Sequence, residues 1–293
     1  MQIDTKDLKE LKSGEKIPAI GLGTWRIGGG FVADRSKDSF WVESLRFGVK
    51  ISLEIIGRCL IDTAEMYGAD HSEEIVGQAI SEFDREDIFI VTKVKAENLK
   101  YQKLLRAANR SLDRLDVKYI DLYLIHWPNF SVPLSETMRA MEYLYNEGKI
   151  RHIGVSNFGV SLIEEAREYL SCADIVANQV KYSILDRKVE KEMLPYCQRE
   201  GIILMAYTPL EQGRLAKNRI LKMIGEKYGR TAAQVALNWL ISKNNVVAVP
   251  KSEHRSRIKE NIEAMGWRLK PEDIEIIDEK FSAGFYGDRR KNG

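Results

Sequence analysis

The chain has 293 residues, 44% of them hydrophobic, which suits one large globular domain or two small ones. Lys and Arg total 45 against 43 Asp and Glu, a formal net charge of +2 that gives no reason to expect a nucleic-acid partner. No apolar run approaches the ~20 residues a helix needs to span a membrane.

The opening "MQIDTKDLKE" is polar and does not read as a secretory leader. The three cysteines, Cys59, Cys172 and Cys197, are scattered and odd in number. They predict a reducing compartment, the cytoplasm, and no disulfide framework. The next segment, "LKELKSGEKIPAIGLG", reads as a hairpin turning at Ser13-Gly14-Glu15. Short β-branched runs then recur: "AIGLG", "RCLID", "DIFIVTK", "IDLYLIH", "IRHIGVS", "DIVANQV", "GIILMAY" and "VVAVP". Helical periodicity fills the gaps. Leu104, Leu105, Ala108, Leu112 and Leu115 share one helix face, "AKNRILKMIGEKYG" reads as helix, and Thr231 caps "AAQVALNWLIS".

Eight strand-then-helix units imply parallel pairing with right-handed crossovers. A doubly wound sheet would place a G-x-G-x-x-G loop and a helix directly after its first strand; "GLGTWRIGGG" provides neither. The expected fold is therefore a (β/α)8 TIM barrel, one domain over 1–293, with an N-terminal β-hairpin and extra C-terminal helices.

Barrel chemistry sits at the C-terminal ends of the strands. Those ends carry Asp62, Lys93, His126, Ser156-Asn157, Gln179, Tyr207 and Pro250-Lys251. Side chains alternate along a strand. If His126 points inward, so do Leu124 and Leu122, while Asp121 and Tyr123 face the helices. Lys93 shares its phase with Val91 and Phe89, and Asp62 with Leu60. Each strand then has apolar groups low in the barrel and one polar group at the mouth.

Tyr67 follows Asp62 by five residues. A free phenol has a pKa of ~10. At ~4 Å and an effective dielectric of ~20, a lysine attracts phenolate by about 4 kcal/mol before desolvation. A lysine buried there needs a counter-charge, which Asp62 supplies. A neutral His126 can hold a carbonyl oxygen. The set suits proton donation to an oxygen while hydride reaches the adjoining carbon. Singly, each residue has a duller explanation: Asp62 as a turn former, Lys93 as a snorkelling surface group, His126 as a satisfied core histidine, Tyr67 as loop packing. Four together, three of them at consecutive strand ends in one consistent phase and Tyr67 just beyond the first, argue for a single site.

The segments "GLGTW", "IDTAEMYG", "VTK", "LYLIHWP", "GVSNF", "NQVKY" and "VPKSEHRSRIKENI" resemble, in order, the signatures of the aldo-keto reductase family over nearly the whole chain. The resemblance implies an NADPH-dependent oxidoreductase reducing small aldehydes or ketones, with NADH less favoured. It implies the tetrad Asp62, Tyr67, Lys93 and His126, with Tyr67 as general acid. It implies that Ser156, Asn157 and Gln179 hold the nicotinamide carboxamide, Tyr207 stacks on the ring, and Thr24 and Asp62 reach the ribose. Thr208, Leu210, Gln212 and Gly213 would lie over the pyrophosphate. Lys251, Ser252 and Arg257 would take the adenosine phosphate, with Glu260 and Asn261 near the adenine. Two cations for one 2′-phosphate favour NADP over NAD. Trp25, Met66 and Trp127 would line the substrate pocket.

The alternative is a nicotinamide-binding redox sensor that docks a partner; a lyase or hydrolase on the same barrel is a weaker third. The expected partner is a small carbonyl compound, with no nucleic acid, no membrane, and a monomeric chain. "GVKISLEIIGRCLID" is longer than the family's usual link before the tetrad aspartate, and Glu211 is expected to point to solvent. His71, His152 and His254 lack metal-ligand spacing and read as structural or surface groups, so no metal is expected. Cys59, Trp239 and Trp267 read as packing, and "DRRKNG" as a solvated tail.

Overall fold

The computed structural model describes residues 7–282, so "DRRKNG" lies outside it. The hairpin forms from β1 (Leu8–Glu10) and β2 (Lys16–Pro18), antiparallel with Leu8 opposite Pro18. Arg58, just before the second barrel strand, donates to the carbonyl of Lys16 at 2.8 Å. This pins the hairpin across the N-terminal end of the barrel.

Eight parallel strands follow: β3 (Leu22–Gly23), β4 (Cys59–Asp62), β5 (Ile88–Val94), β6 (Ile120–Ile125), β7 (Ile150–Ser156), β8 (Ile175–Lys181), β9 (Ile203–Tyr207) and β10 (Val246–Ala248). Each pairs with its neighbour in chain order. The first and last strands meet where Gly21 N–H donates to Ala248 O at 2.9 Å and Gly23 N–H to Pro250 O at 3.1 Å. A parallel partner cannot be reached by a tight turn, so each connection crosses over through helix.

Those helices are α1 (Asp38–Ile56), α2 (His71–Ile80), α3 (Tyr101–Leu115), α4 (Leu134–Asn146), α5 (Val160–Glu168), α6 (Met193–Glu200), α7 (Arg219–Glu226), α8 (Ala232–Ile241), α9 (Arg255–Ile262) and α10 (Pro271–Lys280). The long link before Asp62 is absorbed by α1, which ends at Gly57 with φ 76° and its N–H on Leu53 O; this left-handed cap suits glycine. The helix expected over "AKNRILKMIGEKYG" starts later than its first residue. Asn218 caps α7 by accepting from the N–H groups of Ile220 and Leu221, and residues 215–217 form a tighter turn before it. At α8 the capping box is complete: Thr231 accepts from Gln234 N–H, and the Gln234 side chain accepts from Thr231 N–H. None of the described helices is long and apolar enough to cross a membrane.

Strand alternation divides the interior into two cores. Leu60, Phe89, Val91, Leu122, Leu124 and Met205 fill the barrel, and Leu11 and Ile17 of the hairpin join them from below. Ile61, Ile90, Tyr123 and Ile125 face outward into the helix layer. The expected phases are those observed. Each fully buried aliphatic chain contributes roughly 1.5–3 kcal/mol, so rotating one strand by a residue would forfeit several such contributions. That sterically fixes which way Asp62, Lys93 and His126 point.

Candidate active site

Asp62, Lys93 and His126 leave three adjacent strands at the same end of the barrel. In the β4–β5 and β5–β6 registers Asp62 lies opposite Val91, and Lys93 opposite Leu124. Lys93 therefore stands two residues further up its strand than the level of Asp62 and reaches sideways. Its Nζ lies 2.8 Å from Asp62 Oδ1 and donates to Thr63 O at 2.7 Å and to the Tyr67 hydroxyl at 3.3 Å.

Tyr67 reaches this point through a tight turn. Its N–H donates to Ala64 O at 3.0 Å, and Gly68 follows with φ 59°. A Cβ on Gly68 would lie 2.4 Å from Gly28 O, so both the angle and the close approach require glycine there. The Tyr67 ring is edge-on to His126, centroids 5.6 Å apart, and edge-on to Trp25 at 5.0 Å.

Burial dominates the electrostatics. It raises the Tyr67 phenol above its ordinary value, against the pull of Lys93 and with a push from Asp62. The expectation from sequence of a phenol lowered by lysine is thus corrected: the hydroxyl loses more hydration than the ammonium returns. For Lys93 burial also disfavours the charge, but Asp62 and Tyr67 outweigh it and the net shift is upward. His126 is held neutral, its pKa lowered to about 3 by burial and then by Lys93. The His126 Nδ1 atom is buried and has no hydrogen-bond partner among the described residues.

Around this group lie amides and hydroxyls. Gln179 donates from Nε2 to Asp62 Oδ1 at 2.7 Å, which leaves its Oε1 to accept. Ser156 Oγ donates to Gln179 O at 2.9 Å. Asn157, at φ 63°, donates from Nδ2 to His126 O and Ser156 Oγ, and accepts from the Tyr207 hydroxyl at 3.0 Å. The last bond fixes the Tyr207 ring at the end of β9. Thr24 donates from Oγ1 to Asp62 O at 3.0 Å. Trp25 and Met66 are partly buried beside the mouth; Trp127 stands at its rim, half exposed.

The loop after β9 carries Thr208, Leu210, Gln212 and Gly213, with Thr208 and Gln212 both at φ 55°. Glu211 does not face solvent as expected. It accepts from Ser183 Oγ at 2.8 Å and pairs with Lys181 at 3.4 Å, tying this loop to the one after β8. A separate small cleft beside α9 is lined by Gly21, Gly23, Leu45, Pro250, Ser252 and Asn261. Lys251 bridges to Gly23 at its edge. Arg257 is exposed and makes no ion pair among the described residues. Glu260 is partly buried, its carbonyl taken by Gln234.

Several participants escaped sequence reasoning. Thr63 supplies only a carbonyl, which no side-chain pattern reveals. Glu65 is buried and accepts from Lys95 N–H and Asn98 Nδ2, both at 2.8 Å, bracing the loop after β5; an acid inside the apolar "DTAEMY" turn was the available signal. Glu73 is buried against Thr92 and Arg114. Arg26 and Lys37 lie near enough to act on Lys251. His152 sits low in the barrel, stacked on Phe89 and bonded to Glu15, and His71 is buried between Asp38 and Glu74. Both are structural partners of carboxylates.

A parallel eight-stranded barrel with an Asp–Lys–Tyr–His cluster at its C-terminal mouth defines a class of carbonyl oxidoreductase. The sequence profile of the Aldo/keto reductase family matches residues 19–281, and the chain belongs to that family. A glyoxal reductase of Bacillus subtilis (strain 168) is 39% identical over 280 residues, covering 95% of this chain and 94% of that protein. The crystal structure of a thermostable aldo-keto reductase, Tm1743, in complex with the inhibitor epalrestat superposes with a TM-score of 0.87 at 45% identity, covering 93% of this chain and 98% of that one. An aldo/keto reductase from Klebsiella pneumoniae in complex with NADP and acetate gives a TM-score of 0.83 at 35% identity, covering 94% and 96%.

Proposed function

We propose that this chain is an NADPH-dependent reductase of small aldehydes and α-dicarbonyls, with Tyr67 as the general acid. The observation that carries the reading is the Tyr67 hydroxyl, 3.3 Å from the buried Lys93 ammonium and beside a neutral His126. The glyoxal reductase relative and the NADP-bound neighbour support the substrate class and the cofactor.

The residues present fit a nicotinamide dinucleotide. Gln179 Oε1 is free to accept from a carboxamide, beside Ser156 and Asn157, and Tyr207 offers a fixed ring face. Thr24 and Asp62 would reach the ribose. The loop from Thr208 through Leu210, Gln212 and Gly213 would cover the pyrophosphate. At the far end Asn261 lines the small cleft with an amide that has no protein partner among the described residues. Lys251, Ser252 and Arg257 would take the 2′-phosphate, with Glu260 and Asn261 toward the adenine. When bound, NADPH supplies hydride.

The chain's own groups manage the oxygen. His126, neutral, donates a hydrogen bond to a carbonyl and orients it. Tyr67, a phenol that burial keeps in its protonated form beyond its ordinary range, gives its proton to that oxygen. Lys93 then faces the phenolate left behind, and Asp62 keeps Lys93 charged. Trp25, Met66 and Trp127 would form the walls against which the rest of the substrate lies.

The test is NADPH absorbance loss with the purified chain and a panel of aldehydes including glyoxal, repeated with NADH. Turnover with an NADPH preference supports the reading. Tight NADPH binding without turnover on any carbonyl contradicts it and favours the redox-sensor alternative.

A further inference from the structure

We propose that Glu253 acts as an internal counter-anion at the 2′-phosphate site and narrows this chain's preference for NADPH over NADH. The inference rests on the reading that Lys251 takes the 2′-phosphate. Glu253 Oε2 lies 3.6 Å from Lys251 Nζ. The same oxygen accepts from Trp41 Nε1 at 3.0 Å. Trp41 is buried on α1, so the carboxylate cannot swing away without leaving a buried indole N–H unpaired. The other oxygen, Oε1, lies 4.0 Å from His254 Nε2. Glu253 thus engages two of the basic groups of "KSEHRSR" before any nucleotide arrives.

The two nucleotides meet this carboxylate differently. A 2′-phosphate carries a charge near −2 and must share Lys251 with an anchored anion. A 2′-hydroxyl carries none and can donate a hydrogen bond to it. Hence Glu253 opposes NADPH and tolerates NADH, offsetting part of the selectivity that Lys251 and Arg257 create. Both side chains of the pair are about a quarter to a third exposed, at 30% and 27%, so screening limits the effect.

The experiment measures Kd for NADPH and for NADH by quenching of tryptophan fluorescence on the full chain. Glu253→Gln keeps an oxygen for Trp41 and removes the charge; Glu253→Ala removes both; thermal unfolding verifies that each is folded. Both variants should raise the ratio of NADH to NADPH dissociation constants about three- to fivefold, chiefly by tightening NADPH. Lys251→Met should lower that ratio. If the Glu253 variants leave the ratio unchanged while Lys251→Met collapses it, the role of Glu253 is overturned and the phosphate site stands. If Lys251→Met also leaves it unchanged, the phosphate does not reach Lys251, and both the site and the inference fall.

Discussion

The ammonium of Lys93 lies 2.8 Å from Asp62 Oδ1, with both side chains almost sealed from solvent. Such a pair gives little net stability, but removing one member leaves a buried charge without its partner. Asp62→Asn should therefore destabilise the fold by about 3–5 kcal/mol in chemical denaturation. Asp62→Asn combined with Lys93→Met should recover part of that loss, because the stranded charge is gone. A double variant that is simply additive would show that the two groups do not act as a pair.

His126 links the site to acid stability. Its folded pKa is lowered to about 3, below an unfolded value of ~6.5. Between these values the unfolded chain binds a proton that the folded chain refuses. Stability contributed by neutral His126 is therefore present above pH ~6.5 and falls as pH drops toward about 3, by at most about 1.4 kcal/mol per pH unit. Denaturation at pH 7 and pH 5 should show His126→Asn losing less stability on acidification than the parent chain. Equal losses would mean that His126 titrates normally.

Gly68 holds the turn that delivers Tyr67. At φ 59° and with Gly28 O 2.4 Å from a notional Cβ, Gly68→Ala must displace either the Tyr67 turn or the loop containing Gly28. The expected cost is about 1–3 kcal/mol, with a fall in turnover larger than in Gly14→Ala, whose Cβ meets nothing within 4 Å. Equal effects at the two glycines would remove the turn from the account.

The barrel and the direction of its mouth were legible because period-two alternation is local. Leu60, Phe89, Val91, Leu122 and Leu124 announce the inner face, and the polar residue ending each run follows from it. Caps were legible for the same reason, as at Thr231. What was not legible depends on distant partners or on depth. The sign of the Tyr67 shift is set by how completely the surrounding loops exclude water. Glu211 is turned inward by Lys181 and Ser183, and Glu253 is pinned by Trp41, 212 residues earlier in the chain. The extension of α1 through Ile56 was visible only as extra length before Asp62.

The central claim is that Tyr67 gives the proton, and Tyr67→Phe tests it most directly. The phenyl ring keeps the edge contacts to Trp25 and His126 and loses only the hydroxyl. Steady-state reduction of glyoxal and direct NADPH binding should be measured on the same preparation. The account predicts a loss of turnover of about 10²–10⁴-fold with NADPH affinity nearly unchanged. Retained turnover, or equal loss of binding and turnover, would contradict it.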